Sequence, residues 1–276
     1  MQTVAIAGVG LIGGSFGLAL RKAGFTGRIV GVSSPATIEK AKQLGAIDEG
    51  APLDTAVAQA DLVYLAQPIG IILEVIPKLA GLLKPGALVT DAGSTKLRIV
   101  ETARASLPKD QFLGGHPMAG KAERGVAVAE ANLFEGRPYV LAGPPRSAVA
   151  EEFRQWLDRI GAQVVFLDPR LHDELVAAAS HVPQLLSTAL AASLGRNALA
   201  ESIAGIAGPG LIDMTRLAGS DYGLWRDILA TNAAAIGPAL DKVIAELQQV
   251  RQHLDPPDLE EPFRTANRLA RGLRNG

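Results

Sequence analysis

The chain has 276 residues, 48% of them hydrophobic, with 27 basic against 28 acidic side chains and no cysteine. That apolar content excludes a disordered chain, and the balanced charge gives neither nucleic acid nor an anionic membrane a bulk attraction. Disulfides, thiolate metal sites and a cysteine nucleophile are excluded as well.

The amino-terminal MQTVAIAGVGLIGG has no basic leader, and glycines interrupt its apolar run, so it does not read as a signal peptide. Without a run of about 18 uninterrupted apolar residues, no membrane span is expected. The expectation is a cytoplasmic globular protein with no nucleic-acid, membrane or metal partner, long enough for one large domain or two ordinary ones.

In chain order, TVAIAG (3–8) is short, β-branched and closed by glycine, which predicts a buried parallel strand. LIGGSFGLALRKAG (11–24) predicts a helix, RIVGVS (28–33) a second strand and ATIEKAKQLG (36–45) a second helix. DLVYLAQP (61–68), ALVTDAG (87–93), FLGGHP (112–117) and RPYVLAG (137–143) continue the strands, with Pro68 and Pro85 marking loops. AVAEEFRQWLDRIG (148–161) is helical, and AQVVFLD (162–168) closes the series as a strand. Strands alternating with helices predict right-handed crossovers and a parallel sheet covered on both faces.

After Asp168 no strand pattern remains. HDELVAAASHVPQLLSTALAASLG (172–195), LWRDILATNAAAI (224–236) and PALDKVIAELQQVRQHL (238–254) all carry helical spacing, and DPPDLEEP (255–262) is the only biased stretch. The fold class expected is α/β: a Rossmann-type doubly wound domain over 1–168, followed by an all-helical domain over 169–276. Several of these helices are apolar on more than one face, which predicts subunits packed through the helical domain as a homodimer.

GVGLIG (8–13) is a G-x-G-x-x-G sequence that follows a strand and opens a helix, as dinucleotide binding requires. Gly8 allows the tight turn, Gly10 lets backbone approach a pyrophosphate, and Gly13 lets helix pack on strand. Leu11 and Ile12 lie in the same turn, where unpaired N–H groups would face the phosphates. Gln67 and Pro68, after a later strand, join the expected cofactor contacts. Where an NAD-selective carboxylate is usual, the chain has Ser33 and Ser34. Their hydroxyls would not repel a 2′-phosphate, so the cofactor expected is NADP ahead of NAD.

Two later strand ends deliver polar residues to the edge where open α/β sheets bind ligands. DAGSTK (91–96) places Ser94 there, and GGHPMAG (114–120) places His116, a side chain suited to proton transfer near neutrality. Read alone, Ser94 is also a natural N-cap for the helix LRIVETARASL, and His116 a hydrogen-bonded turn residue.

The blocks GVGLIGGSFGLAL, VTDAGSTK, GGHPMAG, SHVPQ and DMTRLAGSDYGLWRDI occur in an order that resembles the prephenate and arogenate dehydrogenase family of tyrosine biosynthesis, over residues 1 to about 250. The resemblance implies a nucleotide-binding domain followed by a helical dimerisation domain. It also implies an oxidative decarboxylation: hydride leaves C4 of a cyclohexadienol for the nicotinamide, the C4 hydroxyl loses its proton, and CO2 departs as the ring aromatises. By the same resemblance His116 is the base at the C4 hydroxyl, and Ser94 orients its imidazole and touches that hydroxyl.

Arg216 resembles the family's clamp on the ring carboxylate, a task that suits a bidentate guanidinium, with Asp213 three residues earlier to hold it. Ser180, His181 and Gln184 of SHVPQ are placed at the substrate. Lys121 is placed at the side-chain carboxylate, and Trp225 reaches into the site, from its own chain or across the dimer. Some prephenate-preferring members carry a second histidine at the place of Gln184 and Thr-Glu at the place of Lys121-Ala122. Both departures count against prephenate, and Ala122 resembles arogenate-type relatives; the product expected is 4-hydroxyphenylpyruvate from prephenate, with tyrosine from arogenate as the alternative.

The chain ends without room for a regulatory or mutase domain, so tyrosine feedback is expected only at the active site. Two other functions fit the sequence less well. β-Hydroxyacid dehydrogenases carry a catalytic lysine on the first helix of their helical domain, whereas residues 171–195 contain none. A non-catalytic NADP-binding protein would have no need of Ser94, His116 and Arg216 together.

Overall fold

The computed structural model describes residues 1–254 and 259–275. The first four residues of the DPPDLEEP stretch lie outside the described residues.

The α/β part begins with β1 (Thr3–Ala7), α1 (Leu11–Lys22), β2 (Arg28–Val32), α2 (Pro35–Gln43), β3 (Glu49–Gly50), α3 (Leu53–Gln59) and β4 (Leu62–Leu65). It continues with α4 (Ile69–Leu79), β5 (Leu88–Asp91), α5 (Leu97–Ser106) and β6 (Phe112–Leu113). These strands form one parallel sheet in the order β3-β2-β1-β4-β5-β6. That is the dinucleotide-binding order, in which the chain reverses direction beside β1 and leaves a crevice at the carboxyl ends of β1 and β4. One face packs Phe16, Leu20 and Ile29 against Phe153 and Trp156, and the other packs Val63, Ile72, Ile76 and Ile99.

FLGGHP does not form one strand. It divides at Gly114 into β6 on the large sheet and β7 (Gly115–Pro117) on a second sheet with β8 (Pro138–Leu141) and β9 (Gln163–Phe166). β7 runs antiparallel to β8, while β8 and β9 are parallel and joined through α6 (Ala148–Arg159). The single parallel sheet expected from the strand rhythm is therefore corrected to a parallel sheet plus a mixed one. The reason lies in the connections: a loop without a crossover helix joins β7 to β8, which suits antiparallel pairing, whereas α6 supplies the crossover that parallel pairing needs.

The sheets are joined through aromatics. Tyr139 of β8 donates to the Tyr64 hydroxyl of β4 at 3.1 Å, and Phe16 stacks on Tyr64 with centroids 4.1 Å apart.

From Pro169 the chain is helical: α7 (Pro169–Val176), a π turn (Ala177–His181), α8 (Val182–Gly195), α9 (Ala200–Gly205), α10 (Pro209–Thr215), a 3-10 turn (Arg216–Gly219), α11 (Tyr222–Gln252) and α12 (Glu260–Asn275). The single helix expected over 172–195 is widened by the π turn. Pro183 follows directly; it has no N–H for the carbonyl four residues back and crowds it. The two helices expected over 224–236 and 238–254 are one helix, whose backbone leaves helical geometry at Asn232 (φ −125°, ψ 17°). Two stretches, Pro169–Gly195 and Tyr222–Gln252, are long and apolar enough to cross a membrane by length and composition. In the fold they pack on each other and carry the buried polar residues His172, Asp173, His181 and Asn232.

The helical part is docked firmly. Asp227 of α11 accepts the Gly70 N–H at the start of α4 at 2.9 Å, and a Cβ on Gly70 would lie 2.9 Å from that carboxylate. Thr95 and Thr231 share a hydrogen bond of 2.8 Å, and Ile228 joins the core under α4.

Because Tyr64 and Tyr139 are fully buried, Tyr64→Phe leaves the Tyr139 hydroxyl without an acceptor. A loss of about 1–3 kcal/mol is expected from urea unfolding. Adding Tyr139→Phe removes the stranded donor and should recover part of that loss; a double variant as unstable as the sum of the singles contradicts this pairing.

Candidate active site

The glycine turn is built as a dinucleotide cradle. Gly8 has φ +92°, and a Cβ there would lie 2.7 Å from the Ala66 carbonyl group, so only glycine lets β1 pass so close to the end of β4. Above Gly10 the space is open, with nothing within 4 Å of where its Cβ would stand. α1 starts there with no side-chain cap and no acidic residue in its first turn, so the N–H groups of Leu11, Ile12 and Gly13 and the positive end of the helix dipole remain for phosphate. Beside Gly8, the Oε1 of Gln67 is buried with no protein partner. A buried acceptor left orphaned on that edge calls for a donor from a ligand. These features fit a dinucleotide.

At the end of β2 the two serines differ. Ser34 caps α2 through Thr37 N–H and touches the Thr37 hydroxyl at 2.9 Å, whereas Ser33 is exposed.

His116 sits in the middle of β7, nearly buried. The loop before it is clamped by a buried ion pair. Lys96 Nζ bonds to Asp91 Oδ2 and donates to the Gly115 carbonyl at 2.7 Å, while Asp91 accepts the N–H groups of Gly93 (2.9 Å) and Gly115 (3.1 Å). One ammonium and one carboxylate thereby fasten the DAGSTK loop to the strand that carries His116. Burial lowers the Lys96 pKa, and Asp91 beside it opposes that shift. A lysine thus does reach this region, but from the β5 loop, and its Nζ is committed to Asp91 and Gly115.

The imidazole of His116 is held by a residue the sequence reading passed over. His116 Nδ1 lies 2.8 Å from Nε2 of His172, and His172 Nδ1 lies 2.8 Å from Oδ1 of Asp173. Asp173 Oδ1 also accepts the Lys96 N–H at 2.7 Å, and its Oδ2 the Leu97 N–H at 2.9 Å. Two expectations for Ser94 change accordingly. Orientation of the imidazole falls to His172, and the cap of α5 is Asp173, reached from α7. Ser94 stays half-buried in the loop after β5.

Burial, first, and then the neighbouring His172, Lys96 and His181 push the His116 pKa well below the usual histidine value, so the ring is neutral near pH 7.

His181 ends the π turn and is buried. Its Nδ1 lies 3.2 Å from Asn232 Nδ2, which also donates to the Asp173 carbonyl at 2.8 Å. The break in α11 at Asn232 is where this amide meets the π turn. Burial holds His181 down at about 4. Trp225 stacks edge-on to His181 within the same chain, centroids 5.8 Å apart, and its buried indole N–H has no protein partner. Ser180 is half-buried beside them.

Other expected contacts have different employment. Gln184 donates to the Leu217 carbonyl at 2.8 Å and accepts from the Ser220 hydroxyl at 3.2 Å, and Ser187 accepts the Ala218 N–H at 3.0 Å. Gln184 therefore anchors the 3-10 turn that begins with Arg216. The guanidinium of Arg216 is exposed and makes no ion pair among the described residues, and the support expected from Asp213 is absent, both side chains facing solvent. Lys121 pairs with Glu130 at 2.8 Å instead of standing free.

Comparison with known proteins matches both parts of the chain. Residues 16–166 match the family model for the nucleotide-binding domain of prephenate dehydrogenase, and residues 168–271 that for its dimerization domain. The chain is 34% identical to the prephenate dehydrogenase of Bacillus subtilis (strain 168), covering 100% of this chain and 76% of that protein. The structure of prephenate dehydrogenase from A. aeolicus in complex with hydroxyphenyl propionate and NAD+ superposes with a TM-score of 0.91 at 32% identity, over 99% of this chain and 98% of that one. Synechocystis arogenate dehydrogenase superposes with a TM-score of 0.82 at 31% identity, over 99% of each chain. On these matches, the chain belongs to the prephenate dehydrogenase family.

Proposed function

We propose that the chain catalyses the oxidative decarboxylation of prephenate to 4-hydroxyphenylpyruvate with NADP or NAD. The observation that carries this reading is a neutral, nearly buried imidazole on the strand that Asp91 and Lys96 clamp to the end of β5, with one ring nitrogen committed to His172 and the other left for a ligand. Gly8, Gly10, Gly13, Gln67, Pro68 and Ser33 would hold the dinucleotide, which accepts the C4 hydride when bound.

His116 takes the proton of the C4 hydroxyl through its remaining nitrogen, and Ser94 hydrogen-bonds the same oxygen. Arg216 pairs with the ring carboxylate, holding it across the ring until CO2 leaves and the ring aromatises. His181, Ser180 and Trp225 form the wall that meets the substrate, with Trp225 acting from its own chain. Gln184 and Asp213 serve that wall indirectly, Gln184 through the Arg216 turn. Lys121 borders the mouth with Glu130.

Arogenate is the second reading, supported by the similar likeness of the chain to relatives named for either substrate. For the dinucleotide, the absence of a carboxylate at the end of β2 supports NADP. Large apolar side chains stand exposed on the helical part, among them Ile206, Met214, Tyr222, Leu247 and Phe263. An apolar surface of that extent calls for a partner, and a second copy of this chain, packed through the helical domain, supplies it.

His116→Asn should lower kcat by ~10²–10⁴-fold, the usual worth of a general base, while the dinucleotide Kd stays unchanged; undiminished turnover overturns the assignment. Because a base must be unprotonated, activity falls as pH drops through its pKa. Burial places that acid limb of log(kcat/KM) below the ordinary histidine value of 6.5, and a midpoint above 6.5 contradicts the environment described. In a steady-state assay crossing prephenate or arogenate with NAD or NADP, prephenate with NADP should give the highest kcat/KM. A tenfold preference for arogenate or for NAD reverses that half of the reading.

A further inference from the structure

We propose that His172 and Asp173 are positioning residues for the base, a relay from the first helix of the helical part that sets which nitrogen of His116 is free. The inference rests on His116 being that base.

It follows from hydrogen-bond bookkeeping. An ionised carboxylate only accepts, and Asp173 already accepts the backbone N–H groups of Lys96 and Leu97. At the 2.8 Å contact His172 Nδ1 must therefore be the donor. When His172 carries a single ring proton, its contact with Asp173 places that proton on Nδ1 and leaves Nε2 bare, so His116 Nδ1 donates across its own 2.8 Å contact. The proton of neutral His116 is thereby placed on Nδ1, and Nε2 is left bare. That is the tautomer a base needs; the opposite one would present an N–H to the substrate hydroxyl and could take no proton.

The same chain answers the charge that catalysis creates. When Nε2 takes the substrate proton, His116 becomes an imidazolium whose Nδ1–H still donates to His172. Beyond His172 stands the Asp173 carboxylate, the negative group at the end of the line. The other charged or titratable groups facing the pair are Lys96, whose ammonium is matched by Asp91, and His181, held neutral by burial. His172 and Asp173 are both buried, so water does not compete for either hydrogen bond. Asn232 fastens the Asp173 backbone carbonyl from α11, which fixes the relay from a third element.

Asp173→Asn tests the relay with little change in shape. With its NH2 in the place of Oδ1, the amide keeps the Leu97 N–H on its oxygen, gives up the Lys96 N–H and donates to His172 Nδ1, which reverses every donor down to His116. kcat is expected to fall by ~10³–10⁴-fold, as in other systems where an aspartate sets a catalytic histidine's tautomer, with KM and the dinucleotide Kd within about twofold of the parent.

His172→Gln leaves the α5 cap intact and is decisive should Asp173→Asn fail to fold. Its amide oxygen still accepts from His116 Nδ1 but breaks the link to the carboxylate. A smaller fall of ~10-fold is expected, with the acid limb of log(kcat/KM) moved to lower pH because the imidazolium has lost its countercharge. Unchanged kcat and an unmoved acid limb in His172→Gln would overturn the relay while leaving His116 as the base. Retained turnover in His116→Asn would instead overturn the reading on which the relay rests.

Discussion

Everything at this site hangs on one carboxylate. Asp173 is the point where the first helix of the helical part meets the first turn of α5 in the α/β part, accepting two backbone N–H groups there and the ring of His172 as well. Uncapped N–H groups at a helix start need acceptors, and a buried carboxylate needs donors. Each requirement meets the other only when the two parts are docked. The geometry of the imidazole is therefore a consequence of docking: His116 comes from a strand of one part and its support from a helix of the other.

A second buried charge keeps the opposite side in register. Lys96 and Asp91 are both fully buried, an arrangement that gains little stability over apolar packing but is costly to break, because removing one partner strands the other. Its use here is placement. Asp91 ends β5, and with Lys96 it grips both the N–H and the carbonyl of Gly115, so the strand bearing His116 leaves the parallel sheet at one defined point. Backbone N–H groups of Lys96 and Leu97 feed Asp173 while the Lys96 side chain feeds Asp91. This short segment therefore connects both buried carboxylates.

How far the sequence could be read follows from which features are local. The glycine turn at 8–13, the alternation of strand and helix, and the change of texture after Asp168 are patterns within a few residues, and periodicity exposes them. The split of FLGGHP across two sheets was not legible, because the clamp that causes it joins residues 91, 96 and 115 through space. Pro238 reads as the start of a new helix, yet the break lies at Asn232, where a side-chain contact with Asp173 and His181 meets the departure from helical geometry. His172 carried no motif of its own. One signal was available: a His-Asp pair at the start of the first helix of the helical part, in a chain with four histidines. Gln184 was read as facing substrate because it belongs to the SHVPQ block, and Lys121 because it follows GGHPMAG, while their partners, Leu217, Ser220 and Glu130, lie elsewhere in the chain.

Docking sets the proton on His116, and ring-nitrogen chemical shifts report it most directly. In protein labelled with 15N at histidine, long-range 1H–15N correlation at neutral pH should show His116 protonated at Nδ1 and bare at Nε2, with His172 likewise protonated at Nδ1. A His116 ring carrying its proton on Nε2, or one averaging between the two forms, would contradict this placement of the proton.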